Sequence, residues 1–336
     1  MDFAERLPYL LDPELIYKLN SKRWLADCAL RSANDLIIDN RVRCREHNPD
    51  VKSAAWYYGG KDCVDCSAGI KAEIERAKTI MQEQPLPYVL KLTQSLSAVG
   101  TNIVQNEEER EALVERMTKY LEEYLPRVTK ENTHLNTTSL IISSFIKGPT
   151  MALNFYVRKD GSVEYLGACH QLSTGESGRQ ATAITYADQS KLQKKYQDIL
   201  DRIGKTLHDE GYYGPVGADV LENPDTGEQY AIDLNVRTPL SLVLYLLKKH
   251  FNDSRGYGMS LVYECIFLSV SREELEKRFQ KEFEEARIVL MGSTRMGERD
   301  VWAYGCIIAG ENKQALDKLS ERILEFEASL DVGDTG

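Results

Sequence analysis

The sequence predicts a chain of mixed helices and strands, layered as α+β or α/β, and three observations carry that expectation. Apolar residues recur at helical spacing over 13–33 and 107–125. Short β-prone runs at 140–146, 152–157, 216–221 and 230–234 stand between such stretches. Polar turn sequences, Asp160-Gly161 and the five residues 223–227, join successive runs.

Taken in order, 13–33 places Leu15, Ile16, Leu19, Trp24, Leu25 and Leu30 on one stripe. Residues 40–69 are polar, weakly patterned and contain cysteines. A helix over 70–82 is ended by Pro85 and Pro87 ahead of a strand at 88–92. A small-residue loop at 93–101 follows. Over 107–125 acidic residues crowd the first turn, where they suit the helix dipole, and Leu113, Met117, Tyr120, Leu121 and Tyr124 share a face. Asp160-Gly161 turns the strand at 152–157 into another at 163–167, and the polar, glycine-containing stretch 171–181 reads as a mobile loop. A helix at 191–207 precedes the hairpin at 216–234, and Pro239 starts a short apolar helix at 240–251. Beyond Tyr257 the pattern reads as a helix, a charged helix at 272–285, strands at 288–291 and 302–309, and a last helix at 313–328.

Composition excludes several classes. With 336 residues, 42% hydrophobic and 28% charged, the chain can bury a substantial core and divide into about two or three domains. A net charge of -10 and a pI near 5.2 argue against broad nucleic-acid or acidic-membrane binding, leaving room for a local basic pocket. No apolar run approaches the length of a membrane span, and the first ten residues lack the basic start and long apolar stretch of a signal peptide. The expected address is the cytoplasm, with no nucleic-acid and no membrane partner. Seven cysteines, an odd number in a chain this long, favour reduced thiols or a metal site over a disulfide framework.

Chemistry concentrates in GADVLENPDTGEQYAIDLNVRTPLS. Strand alternation puts Asp233, Asn235 and Arg237 on one face and Ile232, Leu234 and Val236 on the other. With Asp219 on the preceding run, that face carries two carboxylates, an amide and a guanidinium. Oxygen ligands on rigid elements suit a hard dication whose octahedron is completed by phosphates. An Arg beside it can stabilise charge on a transferred phosphoryl group. The plain alternative is a solvated hairpin with a polar outer face.

This segment resembles the metal-binding hairpin of the ATP-grasp superfamily, in which an acid on one strand is followed by Glu-x-Asn on the next, often with Arg two residues later. Asp219, Asn235 and Arg237 match, and Asp233 stands where Glu is more usual. The resemblance implies an α+β ATP-grasp fold of two lobes enclosing ATP, with Mg2+ held by Asp219, Asp233 and Asn235. It implies further matches in LPYVLKLTQSLSAVGTNIV, where Lys91 corresponds to a lysine on the ATP α-phosphate and Ser95, Ser97 and Gly100 lie in the loop over the triphosphate. In LIISSFIKGPTMALNFYV, Ser144, Phe145 and Ile146 fall on the hinge that holds adenine by its backbone. Lys22 matches a further nucleotide-binding lysine. Only about twenty residues precede it, whereas the family usually carries an α/β domain of about a hundred residues there. The expectation is a truncated N-terminus and a small α/β C-terminal segment, with domains at 1–84, 85–147, 148–255 and 256–330.

A separate signal is Cys44-x-x-His47 followed by Cys63-x-x-Cys66, the paired-ligand spacing of a tetrahedral Zn2+ site. A structural zinc staple and a surface loop with reduced thiols both fit. Cys28, Cys169, Cys265 and Cys306 sit in apolar contexts as small core residues.

The activity that the resemblance implies is ATP-dependent ligation of a small-molecule carboxylate to an amine through an acyl-phosphate, with Lys91 and Arg237 assisting phosphoryl transfer. The alternatives are a nucleotide-binding regulatory subunit without turnover and an ATP-grasp enzyme with a non-amine acceptor. His170, Gln171 and Arg179 lie where they could meet substrate or simply face water. A homodimer, or a complex with another subunit, is the expected assembly.

Overall fold

A computed structural model describes residues 11–28, 30, 35–40, 64–94, 100–129, 132–174, 179–296 and 301–330. The chain forms two compact units: Met1–Gly148 with Asn223–Leu234, and Pro149–Glu222 with Asn235–Gly336. The architecture is α+β, and the strand pairs whose register is defined among the described residues are antiparallel.

The first unit opens with helices α1 (Pro13–Leu19) and α2 (Lys22–Asp27). Its sheet comprises β1 (Leu36–Ile38), β2 (Tyr88–Leu92), β3 (Thr101–Val104) and β4 (Leu140–Ser144), in the order β1-β4-β2-β3. Helices α3 (Val64–Glu83) and α4 (Glu107–Tyr124) supply the rest of its core. Ile74, Ala77 and Met81 of α3 and Leu113, Met117 and Leu121 of α4 bury against Tyr88, Leu90, Leu140 and Ile142. The side chain of Asn106 caps α4 by accepting from Glu109 N at 2.9 Å, and Glu107, Glu108 and Glu109 occupy the positive end of the dipole.

The second unit contains β5 (Thr150–Val157), β6 (Val163–Thr174), β7 (Arg179–Thr185), β8 (Gly214–Glu222), β10 (Met259–Leu268), β11 (Ile288–Arg295) and β12 (Trp302–Gly310). Its strands run in the order β11-β12-β10-β7-β6-β5-β8, and β9 (Gln229–Asn235) lies with the first unit up to Leu234. Helix α5 (Gln189–Asp209) packs on β5 and β6 through Tyr196, Ile199, Leu200, Ile203 and Leu207. Gly204 permits that approach, since a Cβ there would fall 2.1 Å from Cγ2 of Val163. Helix α9 (Lys313–Ser329) covers β10 and β12 with Leu316, Leu319 and Ile323. Short helices α6 (Leu242–Leu246), α7 (Arg272–Arg278) and α8 (Gln280–Glu284) complete the unit.

Several local expectations are corrected. The stretch beyond Tyr257 is strand β10, buried between β7 and β12, not a helix. A strand covered on both faces shows a continuous apolar run that periodicity cannot separate from a buried helix. Residues 171–181 are largely strand, with His170 to Thr174 of β6 paired to Arg179 to Ala183 of β7. Their polar sequence hid a regular ladder because backbone pairing needs no apolar side chain. The helix read over 13–33 is broken at Asn20, whose Nδ2 donates to Ile16 O at 2.8 Å and closes α1. The helix read over 272–285 is divided at Phe279 into α7 and α8, and only Leu242–Leu246 of 240–251 is α-helical before a π-helical turn at Lys249–Asp253. Strands β1 and β3, at three and four residues, are too short to show a period. Among the described residues no helix is long and apolar enough to cross a membrane.

Candidate functional site

In the first unit the chain places two lysines on one short piece of β9. Lys22 opens α2, and its backbone N–H donates to Thr93 O at 2.9 Å. Thr93 is buried and its hydroxyl lies 3.1 Å from Asn136 O and 2.9 Å from Ser139 O, so the start of α2 rests on a fixed loop. The Lys22 side chain is 7% exposed, and Nζ lies 3.1 Å from each carboxylate oxygen of Asp233, itself 29% exposed. A buried ammonium needs such a partner. Lys91, on β2 beside fully buried Leu90, donates from Nζ to Ile232 O at 2.6 Å. One residue therefore receives a lysine at its carbonyl, and the next receives one at its carboxylate.

Gly100 closes the loop after β2: its carbonyl accepts from Leu92 N at 2.9 Å, its φ is +85°, and a Cβ would meet Leu92 Cδ1 at 2.9 Å. Ser95 and Ser97 lie outside the described residues. Ser144 ends β4, paired with Tyr88, and is exposed, while Phe145 and Ile146 beyond it are half-buried in chain without regular secondary structure. The turn ahead of β9 is closed by Gly227 N donating to Asn223 O at 2.8 Å, with Gly227 at φ +72°.

In the second unit, Asp219 is half-buried on β8 between buried Ala218 and Val220, its Cα paired with Ala152 of β5. Asn235 accepts at Oδ1 from Arg237 Nη2 at 2.8 Å, and Arg237 is exposed. The segment after Arg237 is pinned from two sides. A Cβ at Gly217 would come within 2.8 Å of Pro239 Cβ and 3.5 Å of Asn235 Cβ. Ser241 Oγ donates to Oδ1 of Asn154, a fully buried amide, at 2.8 Å. Cys169 lies nearby with its Sγ 3.8 Å from Asn154 Nδ2, and burial pushes its thiol up to about 12, far from a working nucleophile. His170 pairs with Met151 and Ala183 in the sheet and is exposed.

Asp219, Asp233 and Asn235 each offer oxygen only, the donor chemistry of a hard dication such as Mg2+ and not of a soft metal. Cys44, His47 and Cys63 lie outside the described residues, and Cys66 is buried on α3. Among the described residues no group of three or more His, Cys, Asp or Glu side chains is placed to hold a metal, so nothing there supports zinc.

A family model described as L-aspartate–L-methionine ligase, ATP grasp, matches residues 70–235. Phosphoribosylamine–glycine ligase from Thermotoga maritima aligns with a TM-score of 0.51 at 13% identity, covering 93% of this chain and 76% of that one. The likeness is to the ATP-grasp fold. N5-carboxyaminoimidazole ribonucleotide synthetase, solved with ADP, aligns with a TM-score of 0.50 at 12% identity over 93% of this chain and 73% of that one. At these identities the structures establish the ATP-grasp fold. The N-terminal section of the carbamoyl phosphate synthase large chain from Methanopyrus kandleri is 23% identical over 222 residues, 63% of this chain and 34% of that protein. The chain thus spans about a third of the length of the curated relative it matches.

Sequence reasoning missed the Lys22–Asp233 pair, the Lys91 bond to Ile232 O and the Asn154–Ser241 bond. The first two join residues far apart in sequence, and no local pattern encodes such pairing. Asn154 left a trace, since a lone amide in the apolar run MALNFYV is either an error of burial or a buried hydrogen-bonding anchor.

Proposed function

We propose that this protein is an ATP-dependent ligase that joins a carboxylate to an amine, and that both substrates are amino acids. The observation that carries the reading is the family match over 70–235, which contains Lys91, Asp219, Asp233 and Asn235. The description of that family, an aspartate–methionine ligase, supports amino acids as substrates. In this reading a substrate carboxylate oxygen attacks the γ-phosphorus of ATP, the bond to the bridging oxygen breaks, and ADP leaves. The amine nitrogen then attacks the acyl carbon, phosphate departs with its oxygen, and the amine loses a proton to solvent or phosphate.

Asp219, Asp233 and Asn235 would hold Mg2+, which when bound neutralises charge on the β- and γ-phosphates. Lys91 and Lys22 supply positive charge near the triphosphate, Gly100 and Ser95 and Ser97 offer loop donors, and Ser144, Phe145 and Ile146 form the adenine hinge. Arg237 acts on the transferred group, for which an exposed guanidinium on a pinned segment is suited. The protein works in the cytoplasm, as a homodimer or with another subunit. Hydroxylamine trapping tests the intermediate: ATP, Mg2+ and a single carboxylate substrate should yield the hydroxamate and ADP in equal amounts. ADP release without hydroxamate across all amino acids would reject the acyl-phosphate route.

A further inference from the structure

Lys22 is matched by family resemblance to a lysine that meets nucleotide, yet its Nζ sits 3.1 Å from both oxygens of Asp233. It is 7% exposed, so its ammonium is committed to that carboxylate and is not free in water. The backbone reinforces the arrangement through Lys22 N to Thr93 O and Thr93 Oγ1 to Ser139 O. A second oxygen of the ligand set shows the same feature: Asn235 Oδ1 accepts from the Arg237 guanidinium at 2.8 Å. Two oxygens suited to a dication are each held by a cationic side chain of the chain itself.

Resting on the Mg2+ reading above, we propose that Lys22 is a positioning residue, the built-in counter-ion of Asp233, and that it makes divalent-cation binding conditional on nucleotide. An ammonium at hydrogen-bond distance from both oxygens of a carboxylate opposes a dication on the same group by direct repulsion and by occupying its lone pairs. Lys22 can release Asp233 only when another anion takes its charge, because a buried ammonium left without a partner is disfavoured. A triphosphate is such an anion. Nucleotide and cation therefore bind with positive coupling, and free cation alone finds the acid already taken. Until then Lys22 holds the Asp233 carboxylate in one orientation.

The test is Mn2+ binding followed by electron paramagnetic resonance, with and without a non-hydrolysable ATP analogue, on wild type, Lys22→Met, Lys22→Arg and Asp233→Asn. Wild type should bind Mn2+ at least tenfold more tightly with the analogue than without. Lys22→Met should bind Mn2+ without nucleotide at least tenfold more tightly than wild type and lose most of the coupling, while Lys22→Arg should keep it. If Lys22→Met is unfolded by circular dichroism, the wild-type coupling and its retention in Lys22→Arg decide. Equal or weaker nucleotide-free Mn2+ binding by folded Lys22→Met, or no coupling in wild type, overturns this inference alone. Asp233→Asn should lower Mn2+ affinity in the presence of the analogue. If it does not, the hairpin reading and this inference fall together.

Discussion

Asp233 is the partner of a buried lysine and, in the function proposed above, a metal ligand, and the two roles together fix what its substitution should do. Asp233→Asn keeps an oxygen toward Lys22 but removes the charge, so it should lower unfolding free energy by about 1–3 kcal/mol in urea titration while the protein still folds, and abolish Mg2+-dependent turnover. Wild-type turnover would remove Asp233 from the site. Arg237 is exposed and touches only a neighbouring amide in the described contacts. Arg237→Ala should change stability by less than about 0.5 kcal/mol and lower kcat at unchanged KM for ATP, because the role proposed for it is exercised mainly in the transition state. A rise in KM alone would assign it to ground-state binding. Cys169 and Cys306 have thiols pushed up to about 12 by burial. Iodoacetamide at pH 8 should therefore spare both in the native protein and label them in urea, as peptide mapping would show; rapid native labelling would contradict their burial.

At the scale of elements, the segment carrying Arg237 depends on Asn154. Its side chain accepts from Ser241 Oγ and lies 3.4 Å from Gly167 O. Asn154→Ala should cost about 1–3 kcal/mol by leaving buried polar groups unpaired, measured by urea unfolding; a change within error would make that bond ornamental. Elements with strong local signals were legible in the sequence. Helix α4 announces itself through the acidic residues of its first turn and a five-residue apolar stripe, and β8 and β9 through the turn residues Asn223 and Gly227. Strand β10 was not legible, because Leu261, Val262, Tyr263 and Ile266 are buried on both faces and leave no alternation to read. The residue types of the hairpin could be read from order along the chain. Its partners could not, since Lys22 lies 211 positions from Asp233 and only tertiary packing brings them together.

For the whole molecule, acid stability should register the ion pair of Arg287 with Glu311, which links the start of β11 to the residue after β12. Arg287 Nη1 lies 2.9 Å from Glu311 Oε2, and Arg287 draws the Glu311 carboxyl down from 4.5 to about 2. A lowered folded value means that the stabilisation is present above about 4.5 and fades as pH falls toward about 2. Glu311→Gln should lower the Tm at pH 6, and its deficit should shrink steadily below pH 4.5; a deficit independent of pH would discount the pair. Purified protein is given ATP, Mg2+ and amino acids singly and in pairs, and ADP release is followed together with product mass. Ligation predicts ADP and phosphate release that requires a pair and yields the condensed product, with Asp233→Asn inactive. ADP release that needs no second amino acid, or ATP binding without turnover for every pair, would contradict it.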